Sequence, residues 1–162
     1  MQISHYDVLF THRLNKSGDF MEEKQLEVLV IEADPERIAS IRQAMQETAF
    51  ARQPLFARTL AEALQTYTTR QMLPPDLIFV NLSPGMTENW LALPSLRHDQ
   101  RWSAVPILAL SESNEQPLIR QAYQSGVSSY FLLPQTDSDW VPLLNHLNVY
   151  WRNIVRLPKP RN

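Results

Sequence analysis

The sequence predicts an α/β fold, a five-stranded parallel sheet with helices on both faces in a three-layer α/β/α sandwich. Short aliphatic runs alternate five times with segments of helical periodicity along the 162 residues, and such alternation is typical of parallel sheets. The run 77–80 is continuously apolar and bounded by prolines, as in a strand buried on both faces. Right-handed crossovers then favour the strand order 2-1-3-4-5.

Composition fits one globular domain, with 44% hydrophobic and 20% charged residues. The net charge of −2 gives no general electrostatic case for nucleic-acid binding. The absence of cysteine excludes disulfides, thiolate metal sites and a cysteine nucleophile. No apolar run is long enough to span a membrane, and Asp7, His12 and Arg13 interrupt any signal-peptide core. We therefore expect a soluble, cytoplasmic protein.

The first part of the chain predicts an extension followed by two β-α units. Residues 1–25 form either an unstructured extension or a short element that packs on the body through its apolar residues, Ile3, Tyr6, Val8, Leu9 and Phe10. Strand 1 spans 26–31, and Asp34 before Pro35 is an N-cap that starts helix 1 at 35–48. Strand 2 spans 54–58, and the capping-box pattern from Thr59 starts helix 2, which ends near residue 70.

The second part predicts three more β-α units and completes a domain at 26–152. Strand 3 covers 77–80, strand 4 covers 105–110 and strand 5 covers 128–133. Helix 3 carries apolar residues at helical spacing, namely Trp90, Leu91, Leu93 and Leu96, and Pro94 should kink or shorten it. Helix 4 spans about 115–125 with Gly126 as its C-cap, helix 5 spans about 138–152, and a basic tail follows at 153–162.

Polar residues follow three of the predicted strands. Glu32 and Asp34 come after strand 1, Asn81 after strand 3 and Ser111 after strand 4. Because the carboxyl ends of parallel strands line the ligand crevice, we expect these side chains to meet at one edge. Two interpretations of Asn81 stay open: a functional residue of that crevice, or a residue that caps a turn.

Over residues 26–150 the chain resembles the receiver domain of two-component response regulators, the CheY-like family with a flavodoxin-like fold. The likeness rests on five segments in order: Val-Ile-Glu-Ala-Asp-Pro at 30–35, Pro-Asp-Leu-Ile-Phe-Val-Asn at 75–81, Pro-Gly-Met at 84–86, Val-Pro-Ile-Leu-Ala-Leu-Ser at 105–111, and Gly-Val-Ser-Ser-Tyr-Phe-Leu-Leu-Pro at 126–134. The segment 147–151 with its proline-containing tail also resembles the single-domain regulators paired with cyanobacterial phytochrome kinases. The resemblance implies phosphorelay signalling, in which an aspartate after strand 3 accepts a phosphoryl group with the help of Mg²⁺, a hydroxyl and a lysine.

The sequence departs from that pattern at the residues that carry the chemistry. The acceptor aspartate falls on Asn81, a metal-ligating aspartate on Ala33 and the lysine on Leu133, while Ser111 keeps the hydroxyl position. An amide is a poor nucleophile and brings no charge for Mg²⁺. We therefore predict a degenerate receiver that is no enzyme, binds no cofactor or metal and signals through protein interactions, its crevice neutralised by an Asn81–Ser111 hydrogen bond. A receiver switched by an unconventional route is the alternative.

The resemblance also implies a signalling surface formed by helix 4, strand 5 and helix 5. Its candidate residues here are aromatic: Tyr123, Tyr130, Trp140, Tyr150 and Trp151, with Tyr130 at the switch position of strand 5. Each could instead close the core. The expected partner is a protein, either a sensor histidine kinase or another receiver, and a homodimer is the expected form.

Two other classes of function have weaker support. Ser111, His98 and Asp34 could be imagined as a hydrolytic triad, but the chain has no Gly-x-Ser-x-Gly turn. A nucleotide site lacks a glycine-rich turn after strand 1. The basic residues of the tail, Arg152, Arg156, Lys159 and Arg161, could contact nucleic acid, but such a run is usually a solvated end.

Overall fold

The computed structural model describes residues 25–51 and 53–158, so residues 1–24 of the predicted extension and residues 159–162 of the basic tail lie outside the described residues. The strands are β1 (Val28–Ile31), β2 (Leu55–Ala57), β3 (Leu77–Asn81), β4 (Ile107–Ser111) and β5 (Ser129–Leu132). The α-helices are α1 (Pro35–Glu47), α2 (Leu60–Thr69), α3 (Thr87–His98), α4 (Gln116–Gln124) and α5 (Trp140–Asn148). A 3₁₀ turn (Asp137–Asp139) precedes α5, and a π-helical segment (Val149–Ile154) follows it.

The five strands form one parallel sheet in the order β2-β1-β3-β4-β5, as the sequence predicts. The three central strands, β1, β3 and β4, are buried along their whole length. The register aligns Ile31 with Val80 and Asn81 with Leu110. The residues that follow β1, β3 and β4 therefore meet at one edge of the sheet.

Two apolar layers hold the helices on the sheet, because successive strand residues point to opposite faces. Val28, Val30 and Phe79 pack with α1 and α5 on one face. Leu29, Ile31 and Val80 pack with α2, α3 and α4 on the other. Leu91, expected on the apolar face of α3, is 75% exposed, whereas Leu93 and Leu96 are buried.

Two predicted surface aromatics belong to the core. Trp140 and Trp151 are only 3% and 8% exposed, and both lie in the layer beneath α1 and α5. The prediction that they form part of an exposed signalling surface is wrong, since indole rings of this size supply much of the apolar area that seals a core.

Side-chain caps start the helices where the sequence predicts. Asp34 Oδ1 accepts hydrogen bonds from the backbone N–H groups of Glu36 and Arg37, at 2.9 and 3.2 Å. Thr59 Oγ1 accepts from the N–H of Glu62 at 3.1 Å. Pro94 lies inside α3 without ending it. Among the described residues, none of the helices is long and apolar enough to cross a membrane.

Candidate functional site

The sheet brings three polar side chains together at its carboxyl edge. Glu32 follows β1, Asn81 ends β3 and Ser111 ends β4, and their exposed fractions are 2%, 1% and 0%. Buried polar groups are costly unless they are hydrogen-bonded. The partners of these side chains therefore define what the crevice can do.

Glu32 has all its acceptor positions engaged. Its Oε1 accepts from the backbone N–H groups of Ala33 and Asp34, at 2.8 and 3.0 Å. Its Oε2 accepts from Asn81 Nδ2 at 3.0 Å and lies 2.8 Å from Arg37 Nε. A carboxylate offers about four lone-pair positions. Three of them accept hydrogen bonds here and Arg37 lies against the carboxylate as an ion pair, so a further ligand would have to displace Arg37.

Asn81 fits its surroundings only as an amide. Its Nδ2 donates to Glu32 Oε2, and its Oδ1 accepts from the backbone N–H of Ser83 at 2.9 Å. A carboxylate accepts and a backbone N–H donates, so the two neighbours fix the orientation of the amide. An aspartate here would place an oxygen about 3 Å from the Glu32 carboxylate, where like charges repel.

Arg37 supplies the cation of the crevice, and the sequence analysis missed it. Its Nε makes an ion pair with Glu32 but finds no aligned hydrogen-bond acceptor. Its other nitrogens lie 3.7 Å from Asp34 Oδ2 and 3.4 Å from Glu112 Oε1. The available signal was its position one turn after the cap residue Asp34, which directs the side chain back over the end of β1.

Comparison of the sequence with known proteins gives a curated relative but no family model. No protein-family model matches the chain. A curated protein named probable methanogenesis regulatory protein FilR2, from Methanothrix harundinacea (strain 6Ac), is 23% identical over 148 residues, covering 89% of this chain and 96% of that protein.

Comparison of the fold with solved structures gives matches along most of the chain. Response regulator RPA3017, in red light signaling of R. palustris, superposes with a TM-score of 0.73 at 20% identity, covering 82% of this chain and 98% of that one. The phosphorylated cyanobacterial phytochrome response regulator RcpA gives 0.71 at 20% identity, covering 83% and 99%. The Mn²⁺-bound form of response regulator Rcp1 gives 0.71 at 14% identity, with the same coverage. This chain has the fold of response-regulator receiver domains.

Ser111 does not make the hydrogen bond to Asn81 that the sequence analysis predicts. Its Oγ donates to the Leu82 carbonyl at 3.4 Å and accepts from the N–H of Ser113 at 3.1 Å. The prediction of an Asn81–Ser111 hydrogen bond is therefore wrong: Ser111 Oγ bonds to the backbone, and the Asn81 amide bonds to Glu32 and Ser83.

Leu133, at the lysine position of the receiver pattern, belongs to the apolar layer. It is 4% exposed and packs in the same cluster as Leu110, Trp140 and Leu144. Its backbone N–H donates to the Ser111 carbonyl at 2.8 Å. The position therefore adds apolar area to the core and brings no charge to the crevice.

Two further buried polar residues support the crevice and were not predicted. Asn89 donates to the Asn81 carbonyl at 3.0 Å and accepts from the Leu60 N–H at 2.9 Å, which ties α3 to the end of β3 and the start of α2. Ser83 Oγ accepts from the N–H of Glu112 at 3.1 Å. Sequence gives little signal for either, because each depends on which loops the fold brings together.

The residues present do not fit the Mg²⁺ that the receiver pattern implies. Glu32 is saturated, Asp34 Oδ1 caps α1, and the Arg37 cation lies among the three acids. Mg²⁺ needs several free oxygen ligands in near-octahedral geometry. Within 25–51 and 53–158, no group of three His, Cys, Asp or Glu side chains could hold a metal ion.

The imagined triad is not assembled. His98 is exposed at the end of α3, and its Nδ1 lies 2.7 Å from the Pro94 carbonyl in its own helix. Asp34 caps α1, and Ser111 Oγ is bonded to the backbone. No nucleophile–base contact exists among these three residues.

Of the basic residues in the tail, Arg152 contacts the body of the domain: its Nη1 lies 3.4 Å from the Ala49 carbonyl. Lys159 and Arg161 lie outside the described residues.

The remaining predicted aromatics lie in two places. Tyr123 and Tyr130 lie on α4 and β5, and Tyr150 lies on the π-helical segment (Val149–Ile154), which we call the terminal segment. Tyr130 is half-buried, and its hydroxyl donates to the Ser113 carbonyl at 2.7 Å. Its backbone N–H donates to the hydroxyl of Tyr123, which is 50% exposed. Tyr150 is 46% exposed and makes an edge-to-face contact with Trp151 at 5.1 Å.

Proposed function

We propose that this protein is a degenerate receiver in two-component signalling, which acts through protein contacts without being phosphorylated at the crevice. The observation that carries the proposal is the Asn81 amide, held between the Glu32 carboxylate and the Ser83 N–H, with Arg37 as the counter-charge. The nucleophile, metal ligand and lysine positions hold Asn81, Ala33 and Leu133. Phosphoryl transfer relies on positioning and charge stabilisation, and neither is available at these positions.

The test is incubation with acetyl phosphate and Mg²⁺ followed by intact-mass measurement. We expect no labile phosphoryl adduct on the folded wild-type protein. A labile adduct on wild type would refute the proposal and favour the alternative, a receiver modified by an unconventional route. A receiver with an intact acceptor aspartate, treated in parallel, shows that the reagent is active.

A protein partner is the second part of the proposal, and a sensor histidine kinase or another receiver is the candidate. The described chain exposes an apolar patch on its terminal segment, which we call the terminal patch: Val149, Tyr150 and Ile154, with exposed fractions of 37%, 46% and 64%. In a π-helix, residues five apart lie about one turn apart, so Val149 and Ile154 adjoin. Aromatic and aliphatic side chains of this kind are enriched at interfaces.

We propose that the terminal patch forms a symmetric homodimer. Light scattering across a dilution series measures the assembly, and Ile154→Glu should shift it towards monomer because it buries a charge in the interface. Asn153→Glu, at an exposed neighbouring position, is the matched control and should leave the dimer intact. A wild-type monomer at the highest concentration would rule out the homodimer and leave a heterologous partner.

A further inference from the structure

The loop between β4 and α4, residues 112–115, is joined to the crevice by one arginine. Arg37 NH1 lies 3.4 Å from Glu112 Oε1, a contact between residues 75 positions apart in sequence. The same guanidinium group is 2.8 Å from the buried Glu32 and 3.7 Å from Asp34. Arg37 therefore links three segments: the end of β1, the start of α1 and the β4–α4 loop. We call this arrangement the Arg37 latch.

The loop is also bonded to the ends of the central strands. The Glu112 N–H donates to Ser83 Oγ at 3.1 Å, and the Ser113 N–H donates to Ser111 Oγ at 3.1 Å. Ser83 is in turn bonded through its own N–H to Asn81 Oδ1. A continuous set of contacts thus runs from Glu32 and Asn81 to the loop, on one side through Arg37 and on the other through Ser83.

The loop continues this set of contacts to the β5 edge. The Ser113 carbonyl accepts a 2.7 Å hydrogen bond from the Tyr130 hydroxyl, and the Tyr130 N–H donates to the Tyr123 hydroxyl at 3.2 Å. Tyr123 is 50% exposed. The position of Ser113 therefore determines whether the Tyr130 hydroxyl keeps this partner, while the Tyr123 hydroxyl is held by the Tyr130 backbone.

We propose that Arg37 is a built-in cation that holds the β4–α4 loop, and through Ser113 the Tyr130 side chain, in one fixed conformation. The proposal rests on the function proposed above, because phosphorylation at the crevice would change the charge around this loop. The side chain does what a bound cation does for clustered carboxylates, and it cannot dissociate. The surface at Tyr123 and Tyr130 is consequently set by the sequence.

Amide hydrogen exchange followed by mass spectrometry tests the latch on the whole chain. Arg37→Gln removes the charge but keeps much of the length of the side chain. Exposed ion pairs contribute modestly, so we expect exchange of the 112–115 and 129–132 amides to rise about two- to fivefold. The matched control is Arg42→Gln, an exposed arginine on the same helix whose guanidinium lies 4.4 Å from the Phe56 ring centroid; it should leave both segments unchanged.

Glu112→Gln is the second variant, because Arg37→Gln leaves the buried Glu32 without its cation and can destabilise the whole protein. Glu112 is 63% exposed, and its replacement keeps the Glu32–Arg37 pair. We expect the same two segments to exchange faster in this variant, with the rest of the sheet unchanged. Unchanged exchange at 112–115 and 129–132 in a folded Glu112→Gln protein would overturn the latch. A failure of the proposed function would appear separately, as a phosphoryl adduct on wild type.

Discussion

Glu32 and Asn81 are the two buried polar residues at the centre of the crevice, and their side chains are bonded to each other. The Glu32 carboxylate receives two backbone N–H groups, one amide and one guanidinium group. A buried carboxylate is tolerated when it is paired and its lone pairs are satisfied. Asn81 then acts as a neutral spacer between Glu32 and the loop after β3. The Asn81 side chain is therefore held at both ends by the structure: Nδ2 donates to Glu32 Oε2 and Oδ1 accepts from the Ser83 N–H.

At this scale the sequence predicted which residues meet but not how they bond. Glu32, Asn81 and Ser111 could be placed together because parallel strand ends share an edge. The Arg37 contact was missed, since a helical arginine is usually solvated; its position one turn after the cap residue Asp34 was the one available signal. Leu133 was identified as a lost lysine, whereas its role in the core depends on how α5 packs on β5.

Tyr67 gives a prediction for one buried phenol. It is 4% exposed and packs edge-on against Trp102 at 5.0 Å. Burial, with a smaller contribution from the Glu27 charge, raises its pKa from 10.0 to about 12. Above pH 10 the unfolded phenol ionises while the folded one stays neutral, so this residue lowers the free energy of unfolding as pH rises. The loss should be about 1 kcal/mol by pH 11 and about 2 kcal/mol near pH 12, with an upper limit of about 2.7 kcal/mol at higher pH.

Urea unfolding of wild type and Tyr67→Phe at pH 8, 10 and 11 isolates this effect. The free energy of unfolding of wild type should fall by about 1 kcal/mol relative to that of Tyr67→Phe over that range, because phenylalanine does not titrate. Glu27→Gln should reduce part of the pH dependence by removing the second cause of the shift. Parallel pH curves for wild type and Tyr67→Phe would contradict the assignment.

Three helices end in the same backbone arrangement, and only one of them uses glycine. After α4 the N–H of Gly126 donates to the Tyr123 carbonyl, and the N–H of Val127 to the Ala122 carbonyl. Gly126 has a φ of +95°, while Ala49 after α1 and Gln71 after α2 have φ values of +50° and +53°. Glycine adopts positive φ without steric cost, so the sequence signalled only the α4 terminus. The other two ends had to be inferred from periodicity.

Gln71→Gly should stabilise the protein by about 0.5–1 kcal/mol, because it relieves the left-handed backbone strain at the end of α2. Gln71 is exposed and donates its N–H to the Thr68 carbonyl, a bond that glycine keeps. Thermal or urea unfolding measures the change. A loss of stability would mean that the extra freedom of glycine in the unfolded chain outweighs the relief of strain.

The reverse substitution tests the same geometry after α4. Gly126→Ala should destabilise the fold by about 1–3 kcal/mol, since it combines a positive φ with a close contact. A Cβ at residue 126 would lie 2.9 Å from Arg97 Cγ. Arg97 cannot withdraw freely, because its guanidinium donates to the carbonyls of Gly126, Ser103 and Val105. Gly85→Ala is the control, as nothing lies within 4 Å of its Cβ position, and its effect should be near zero.

The whole fold was the most predictable feature of the molecule. Five apolar runs separated by helical segments leave few right-handed parallel topologies, and the observed order β2-β1-β3-β4-β5 is the expected one. Boundaries were less certain where the local signal is weak: predicted helix 5 is a 3₁₀ turn, an α-helix and a π-helical segment in succession. Such changes of helix type reflect tertiary packing of residues such as Trp140 and Trp151, which are buried and which the resemblance to receivers had placed among candidates for the signalling surface.

Mg²⁺ should not stabilise the whole molecule, because the crevice has its own cation, Arg37, and the buried Glu32 carboxylate is already held by three hydrogen bonds and that ion pair. We expect the wild-type melting temperature to stay within about 0.5 °C on addition of 10 mM MgCl₂, by the linkage between binding and stability. The double variant Asn81→Asp, Arg37→Gln exchanges that cation for a second carboxylate beside Glu32. If it binds Mg²⁺ with a Kd of about 1 mM, linkage gives about 1.4 kcal/mol, a rise of roughly 3–5 °C. NaCl at matched ionic strength controls for screening, and an equal rise in wild type would show that Arg37 does not exclude a divalent cation.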